Sequence, residues 1–254
     1  MKFTDTHTHL ADTLLHTRLD EILRQANDAG VRRFIVPAAS INDWNKIALL
    51  QSSSIYGAFG IHPWYAEKTD QDFLSRLDEL LRLHPQTLIG EIGLDYADKN
   101  QPPEWIKRQK NTFRQQLALA MQHNRPVILH NVRAGNDLIR IIKESSFTQG
   151  GFAHAFSGSI EEAKEFIKLG FKIGIGSLLL NPAAKKARKA AAELPLESIV
   201  LETDSPFMLK NNANVPANVY RIAEIVAELR GIPLQVLSEQ TENNVDAVLN
   251  INRL

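Results

Sequence analysis

The chain contains no cysteine. That absence excludes disulfides and thiolate zinc sites, so any metal chemistry must rest on imidazole and carboxylate groups. No apolar run approaches the roughly 18 residues of a membrane span. The start, Met1-Lys2-Phe3-Thr4-Asp5, turns polar at once instead of forming a charged-then-apolar leader. A cytoplasmic protein with no membrane association is the expectation. An excess of either charge is missing too, since 29 Lys and Arg balance 29 Asp and Glu. Domains that coat nucleic acid by bulk electrostatics are usually basic, which argues against that class. A nuclease stays open, because bound divalent cations carry their own positive charge to a phosphate. Linkers, internal repeats and low-complexity tracts are also lacking, so residues 1–254 read as one domain. A monomer is compatible with this composition.

What the chain does have is alternation. Strand-like segments fall near 2–6, 32–38, 55–61, 87–92, 126–130, 150–154, 171–176 and 198–203. Phe34-Ile35-Val36 and Val127-Ile128-Leu129 are apolar on both faces, as in strands covered from both sides. Helical periodicity fills most of the gaps. Leu19, Ile22, Leu23 and Ala26 make one stripe ahead of Gly30, and Phe73, Leu74, Leu77, Leu80 and Leu81 make another. Further helices are expected at 103–123, 136–144, 160–169, 182–193, 217–230 and 234–249. Alternating βα units at a length near the roughly 250 residues of an eight-stranded barrel predict an α/β (βα)8 fold. A doubly wound open sheet is the alternative.

Residues able to ligate metal stand at the ends of these strands. A parallel barrel gathers the C-terminal ends of all its strands around one mouth, so residues far apart in sequence would meet there. His7 and His9, two apart on an extended segment, share a face and can reach one ion. Asp5 would point the same way and orient a ligand or close the barrel floor. Glu91 follows the apolar strand Thr87-Leu88-Ile89-Gly90, where an unpaired carboxylate is costly. It is suited to bridge two ions. His130 and His154 end the fifth and sixth strands. Asp204, in Leu201-Glu202-Thr203-Asp204-Ser205-Pro206, can ligate with one oxygen and accept a proton from water with the other. It is therefore the candidate catalytic base. His62 and Arg133 are candidate substrate contacts, the latter through a planar donor fork suited to phosphate. The run Lys185-Lys186-Ala187-Arg188-Lys189 reads as a solvated helix face. Imidazole and carboxylate ligands suit two divalent ions, with zinc, magnesium and manganese all open.

These residues lie in motifs that resemble the TatD-type metal-dependent deoxyribonucleases, within the amidohydrolase-like barrels. The motifs are Asp5-Thr6-His7-Thr8-His9, Gly60-Ile61-His62-Pro63, Gly90-Glu91-Ile92-Gly93-Leu94-Asp95, the strand ending at His130, His154-Ala155-Phe156-Ser157-Gly158, and Leu201 to Pro206. The resemblance implies hydrolysis of DNA phosphodiester bonds, often from 3′ to 5′. It implies His7, His9, Glu91, His130, His154 and Asp204 as metal ligands, and Asp204 as the base. Two departures mark this chain: Asn131-Val132-Arg133 follows His130 where Ser-Arg is usual, and Ala11 displaces to Asp12 an aspartate usually found just behind the His-x-His pair. Two alternatives remain: a small-molecule amidohydrolase or esterase on the same barrel, and a non-catalytic metal-binding module.

Overall fold

Strand and helix alternate throughout the computed structural model, which describes residues 1–70, 72–210 and 213–249. β1 (Phe3–Asp5) leads into α1 (Thr13–His16) and α2 (Leu19–Asp28). β2 (Val31–Pro37), α3 (Ile41–Leu50), β3 (Ile55–Phe59) and α4 (Phe73–Leu83) follow. Next come β4 (Leu88–Asp95), α5 (Pro103–Gln122), β5 (Val127–Val132), α6 (Gly135–Glu144), β6 (Gly151–Ala153) and α7 (Ile160–Lys168). β7 (Phe171–Ile175), α8 (Lys185–Glu193), β8 (Ile199–Leu201), α9 (Asn218–Arg230) and α10 (Leu234–Leu249) complete the chain.

All pairings are parallel, and the spatial order is β1-β2-β3-β4-β5-β6-β7-β8. A doubly wound sheet reverses its strand order at a switch point; this one never does. The Thr6 N–H and hydroxyl both donate to the Leu201 carbonyl at 3.0 Å, and Asp204 N–H donates to His7 O at 2.8 Å. These bonds bring the end of β8 back to β1 and make the sheet a barrel. Among the described residues no helix is long and apolar enough to cross a membrane.

Strand alternation divides the core in two. Ile35, Ala58, Leu88, Ile128, Phe152 and Val200 form the inner cluster, one each from six strands, and Val245 and Val248 of α10 join them. Thus α10 plugs the barrel floor. There, Arg33 of β2 donates to Thr4 Oγ1 and pairs with Glu242 and Asp246 of α10. The outer faces of the strands, including Phe34, Ile89, Leu129 and Ile173, pack against the helical layer.

Several elements differ from the sequence reading: β3 ends at Phe59 instead of 61, β5 runs to Val132 instead of 130, and β8 ends at Leu201 instead of 203. Helix α3 was not anticipated, yet Ser40 and Asp43 form a reciprocal capping box at its start, and Trp44 and Ile47 bury at helical spacing. β4 runs on to Asp95 instead of ending near 92. The helix expected from 182 begins at Lys185, after a 3-10 turn at Ser177–Leu180. Gly30 terminates α2 as expected, with a left-handed φ of 83°.

Candidate metal centre

The inward face that carries the inner core also carries the site, two residues further along. Ile128 is followed on its face by His130, Phe152 by His154, and Val200 by Glu202 and then Asp204. Glu91 needs an irregularity. Ile89 and Ile92 both bury on the outer side, and strict alternation would send Glu91 outward with Ile89. The β4–β5 register shifts between Ile89 and Ile92, placing two residues where the partner strand has one, and this turns Glu91 inward. Gly90 makes this possible by close approach, since a Cβ there would lie 2.7 Å from Ile128 Cβ.

The Glu91 carboxylate sits at the centre of five imidazoles. Its Oε2 lies 3.2 Å from His7 Nε2 and 4.0 Å from His9 Nε2. Its Oε1 lies 2.6 Å from His130 Nδ1, 2.9 Å from His154 Nε2 and 3.7 Å from His62 Nε2. Asp204 Oδ1 faces the first group, 3.3 Å from His9 Nε2 and 3.7 Å from His7 Nε2. All six residues named as ligands from the sequence therefore meet. Their ligand atoms, with that of His62, cluster as His7–His9–Asp204, His7–Glu91–His154 and His62–Glu91–His130.

His62, assigned to substrate from the sequence, lies within this cluster. Its Nδ1 accepts the Trp64 N–H at 3.2 Å, and Nε2 points to His130 Nδ1 at 3.1 Å. Arg133 stands apart, exposed, donating to the Ala97 carbonyl at 3.2 Å. It lines a neighbouring depression with Lys186, outside the mouth that holds the cluster. The basic run on α8 is otherwise largely exposed, with Ala187 buried.

Two carboxylates overlooked as functional residues support the imidazoles from behind. Asp95 accepts from His130 Nε2 at 3.0 Å, from the Trp64 indole at 2.8 Å and from Ala97 N–H at 2.8 Å. Buried Glu202 accepts the Ala155 N–H at 2.5 Å and places Oε1 3.6 Å from His154 Nδ1, just beyond hydrogen bonding. Its Oε2 and His154 Nδ1 have no hydrogen-bond partner. The signal was present in the alternation: Glu202 shares a face with Asp204. Asp5 serves the frame instead, accepting from Thr203 N–H at 2.9 Å, Thr203 Oγ1 at 2.6 Å and His7 N–H at 3.3 Å.

The electrostatics follow from this packing. Burial pushes the Glu91 carboxyl up, but the facing imidazoles of His154, His7, His62 and His130 outweigh it and hold it well below its ordinary value. Burial also pushes Asp204 up, and the His9 hydrogen bond with the charges of His154 and His7 brings it below. His62 is driven down to about 3, chiefly by burial. Burial works against a charged His154, yet Glu91 and Glu202 raise it well above normal. Asp5, fully buried, is pushed well up by desolvation, which outweighs the hydrogen bonds from Thr203 and His7 that lower it.

The donor set fits divalent cations. His7 Nε2 and His9 Nε2 approach to 3.2 Å, as do His62 Nε2 and His130 Nδ1 at 3.1 Å. Nitrogens converging on one carboxylate in this way suit cations better than a proton shared pair by pair, and imidazole with carboxylate is a common ligand combination for several divalent metals. Ligating histidines also usually hold a carboxylate behind the ring, as His130 does in Asp95.

A parallel barrel with a histidine–carboxylate cluster at the C-terminal ends of its strands is the architecture of a metal-dependent hydrolase. The chain belongs to the TatD-related DNase family, whose model matches residues 4–250. It is 34% identical over 259 residues to YjjV of Escherichia coli K12, named an uncharacterized metal-dependent hydrolase, covering 98% of each chain. It is 32% identical to YabD of Bacillus subtilis, named likewise, covering 98% of this chain and 99% of that one. The crystal structure of E. coli YjjV, titled a TatD homolog, superposes with a TM-score of 0.90 at 33% identity over 98% of both chains.

Proposed function

We propose that the protein hydrolyses phosphodiester bonds of DNA using two divalent cations, zinc, magnesium or manganese. The observation that carries this is the division of Glu91: one oxygen faces His7 and His9, the other faces His130, His154 and His62. In this reading Glu91 would be held in common by two ligand sets. His7, His9 and Asp204 would complete one, and His130 and His154 the other, with His62 at its edge. Divalent cations in such a site polarise a phosphoryl oxygen and bring the pKa of water toward neutrality.

The chain's own residues supply the rest. Asp204 is partly open to the mouth while Glu91 is buried, so its carboxylate is the one that can meet both ligand and water. Held below its ordinary value, it is ionised at neutral pH and takes the proton of the attacking water as general base. Asp95 holds the ring of His130 by a hydrogen bond, and Glu202 faces His154 Nδ1 from behind. Arg133, outside the mouth, would touch a strand only where it leaves the site. The family's description as DNases supports DNA as substrate, and attack from a 3′ end is the direction to test.

A small-molecule ester is the second reading. It is favoured by one observation: among the described residues, no lysine or arginine lines the mouth. Competition separates the two. With metal-loaded protein, single-stranded DNA should suppress hydrolysis of a small chromogenic ester and should itself be cut. Ester turnover undisturbed by DNA, with the DNA left intact, would move the assignment to the small ester.

A further inference from the structure

The mouth above the cluster has a volume near 850 Å³, within the roughly 300–1,000 Å³ of small-ligand pockets. Its lining brings carboxylates, including Asp12 and Asp43, but among the described residues no lysine or arginine. A protein that holds a nucleic acid by its phosphates needs lysines and arginines along the track. Here cations in the cluster would meet only the scissile phosphate, and contacts to the neighbouring nucleotides must come from another part of the substrate.

Of the aromatic side chains that line this mouth, Trp64, Tyr65 and Phe207, two are the more open to solvent. Trp64 is 67% exposed and Phe207 48%. Exposed aromatics on mobile loops would be unremarkable, but both are fixed. The Trp64 indole N–H donates to Asp95 at 2.8 Å, and its ring packs edge-to-face on His62 at 4.7 Å between centroids and lies 6.3 Å from His130. Phe207 packs on His9 at 5.4 Å and sits in the turn that carries Asp204. That turn holds two non-glycine residues in the left-handed region, Asp204 at φ 58° and Met208 at φ 75°, and Phe207 N–H donates to Asp204 O at 2.8 Å. One aromatic thus stands against the imidazoles facing Glu91 Oε1. The other stands against the imidazole facing Oε2.

Resting on the reading of the site as a phosphodiesterase, we propose that Trp64 and Phe207 are the specificity-determining contacts, stacking on the unpaired bases that flank the scissile phosphate. Stacking tolerates any base, since every base presents a π face. It also requires that the base be free of its partner, so a paired terminus is excluded unless it frays. The phosphate then needs no arginine clamp, because two anchored planes position it over the cluster.

The test uses metal-loaded full-length protein and a labelled single-stranded oligonucleotide, with a tetrahydrofuran abasic residue placed on one side or the other of the scissile phosphate. Each abasic substitution should raise KM about tenfold or more with kcat largely kept, in keeping with the energetics of base–aromatic stacking. Trp64→Ala or Phe207→Ala should match the loss from the side its ring serves, and base removal with ring removal should cost no more than either alone. Trp64→Phe, which keeps a stacking plane and loses the bond to Asp95, should restore most of the KM. Metal affinity, read by indicator competition, should be unmoved in Phe207→Ala, which a purely structural role would disturb. KM should also rise only shallowly with salt. Equal cutting of intact and abasic strands, or the steep salt dependence of a phosphate-tracking protein, would overturn the stacking contacts and leave the nuclease assignment standing. No cutting of any strand by protein that hydrolyses a chromogenic ester would overturn both.

Discussion

Replacing Glu202 by glutamine should weaken metal binding without unfolding the protein, and the size of the effect can be worked from its surroundings. Glu202 is 1% exposed, so solvent screens it little. Its Oε1 accepts the Ala155 N–H and faces His154 Nδ1 at 3.6 Å. A full charge pair at that separation is worth about 4–5 kcal/mol at an effective dielectric of about 20. A ligated neutral imidazole carries only a fraction of a charge, which brings the expectation down to the loss of one supporting carboxylate. Such losses cost about 10–100-fold in metal affinity, or ~1.4–2.8 kcal/mol. Glutamine keeps the oxygen that Ala155 needs and fits the same volume against Gly174 and Gly176, where an added Cβ would collide with the Glu202 side chain at Gly174 and press on it at Gly176. Competition with a chelating indicator on metal-free protein measures the affinity, and thermal unfolding of the same sample checks the fold. An affinity within twofold of wild type, in a folded variant, would refute the role given to Glu202.

Two further outcomes follow from the same geometry. Glu91, Asp204 and Asp95 are each held below their ordinary values of 4.5, 3.8 and 3.8. A depressed carboxyl contributes stability above its unfolded value and loses it as pH falls through its folded value. Metal-free protein should therefore lose unfolding free energy as pH drops below about 4.5, and Glu91→Gln should flatten that acid limb in denaturant titrations; an unchanged slope would argue against the ion pairing described for Glu91. Gly90→Ala should cost about 1–3 kcal/mol, because its Cβ would press on Ile128 across the β4–β5 pairing. By displacing Glu91 it should also lower metal affinity, and a stable variant with normal affinity would show that the close approach is dispensable.

Much of this molecule was legible in its alternation of apolar strands and amphipathic helices. All eight strands fall where expected, because strands covered on both faces leave continuous apolar runs such as Val127-Ile128-Leu129. The convergence of His7, His9, His130, His154 and Asp204 at one mouth followed from barrel geometry. What escaped was finer. Helix α3 carries a mixed pattern, and its signal lay in the cap at Ser40 and Asp43 more than in periodicity. The register shift that turns Glu91 inward depends on how β4 meets β5, which no single strand reveals. Asp95 was hidden by the same irregularity, since β4 was expected to end before it. Glu202 looked like one more strand residue because its role, backing His154, exists only once two distant strands are side by side. His62 read as a substrate contact at the end of the third strand, yet the turn after β3 brings it within 3.7 Å of Glu91.

Metal-dependent cleavage that requires Asp204 is the central expectation for this site. Metal-free protein would be titrated separately with magnesium, manganese and zinc, and nucleotide release followed from a labelled single-stranded oligonucleotide, for wild type and Asp204→Asn. The expected result is cleavage only with metal in the wild type, and a fall of about 10²–10⁴-fold or more in the folded variant. Comparable cleavage by Asp204→Asn, or none by metal-loaded wild-type protein, would contradict it.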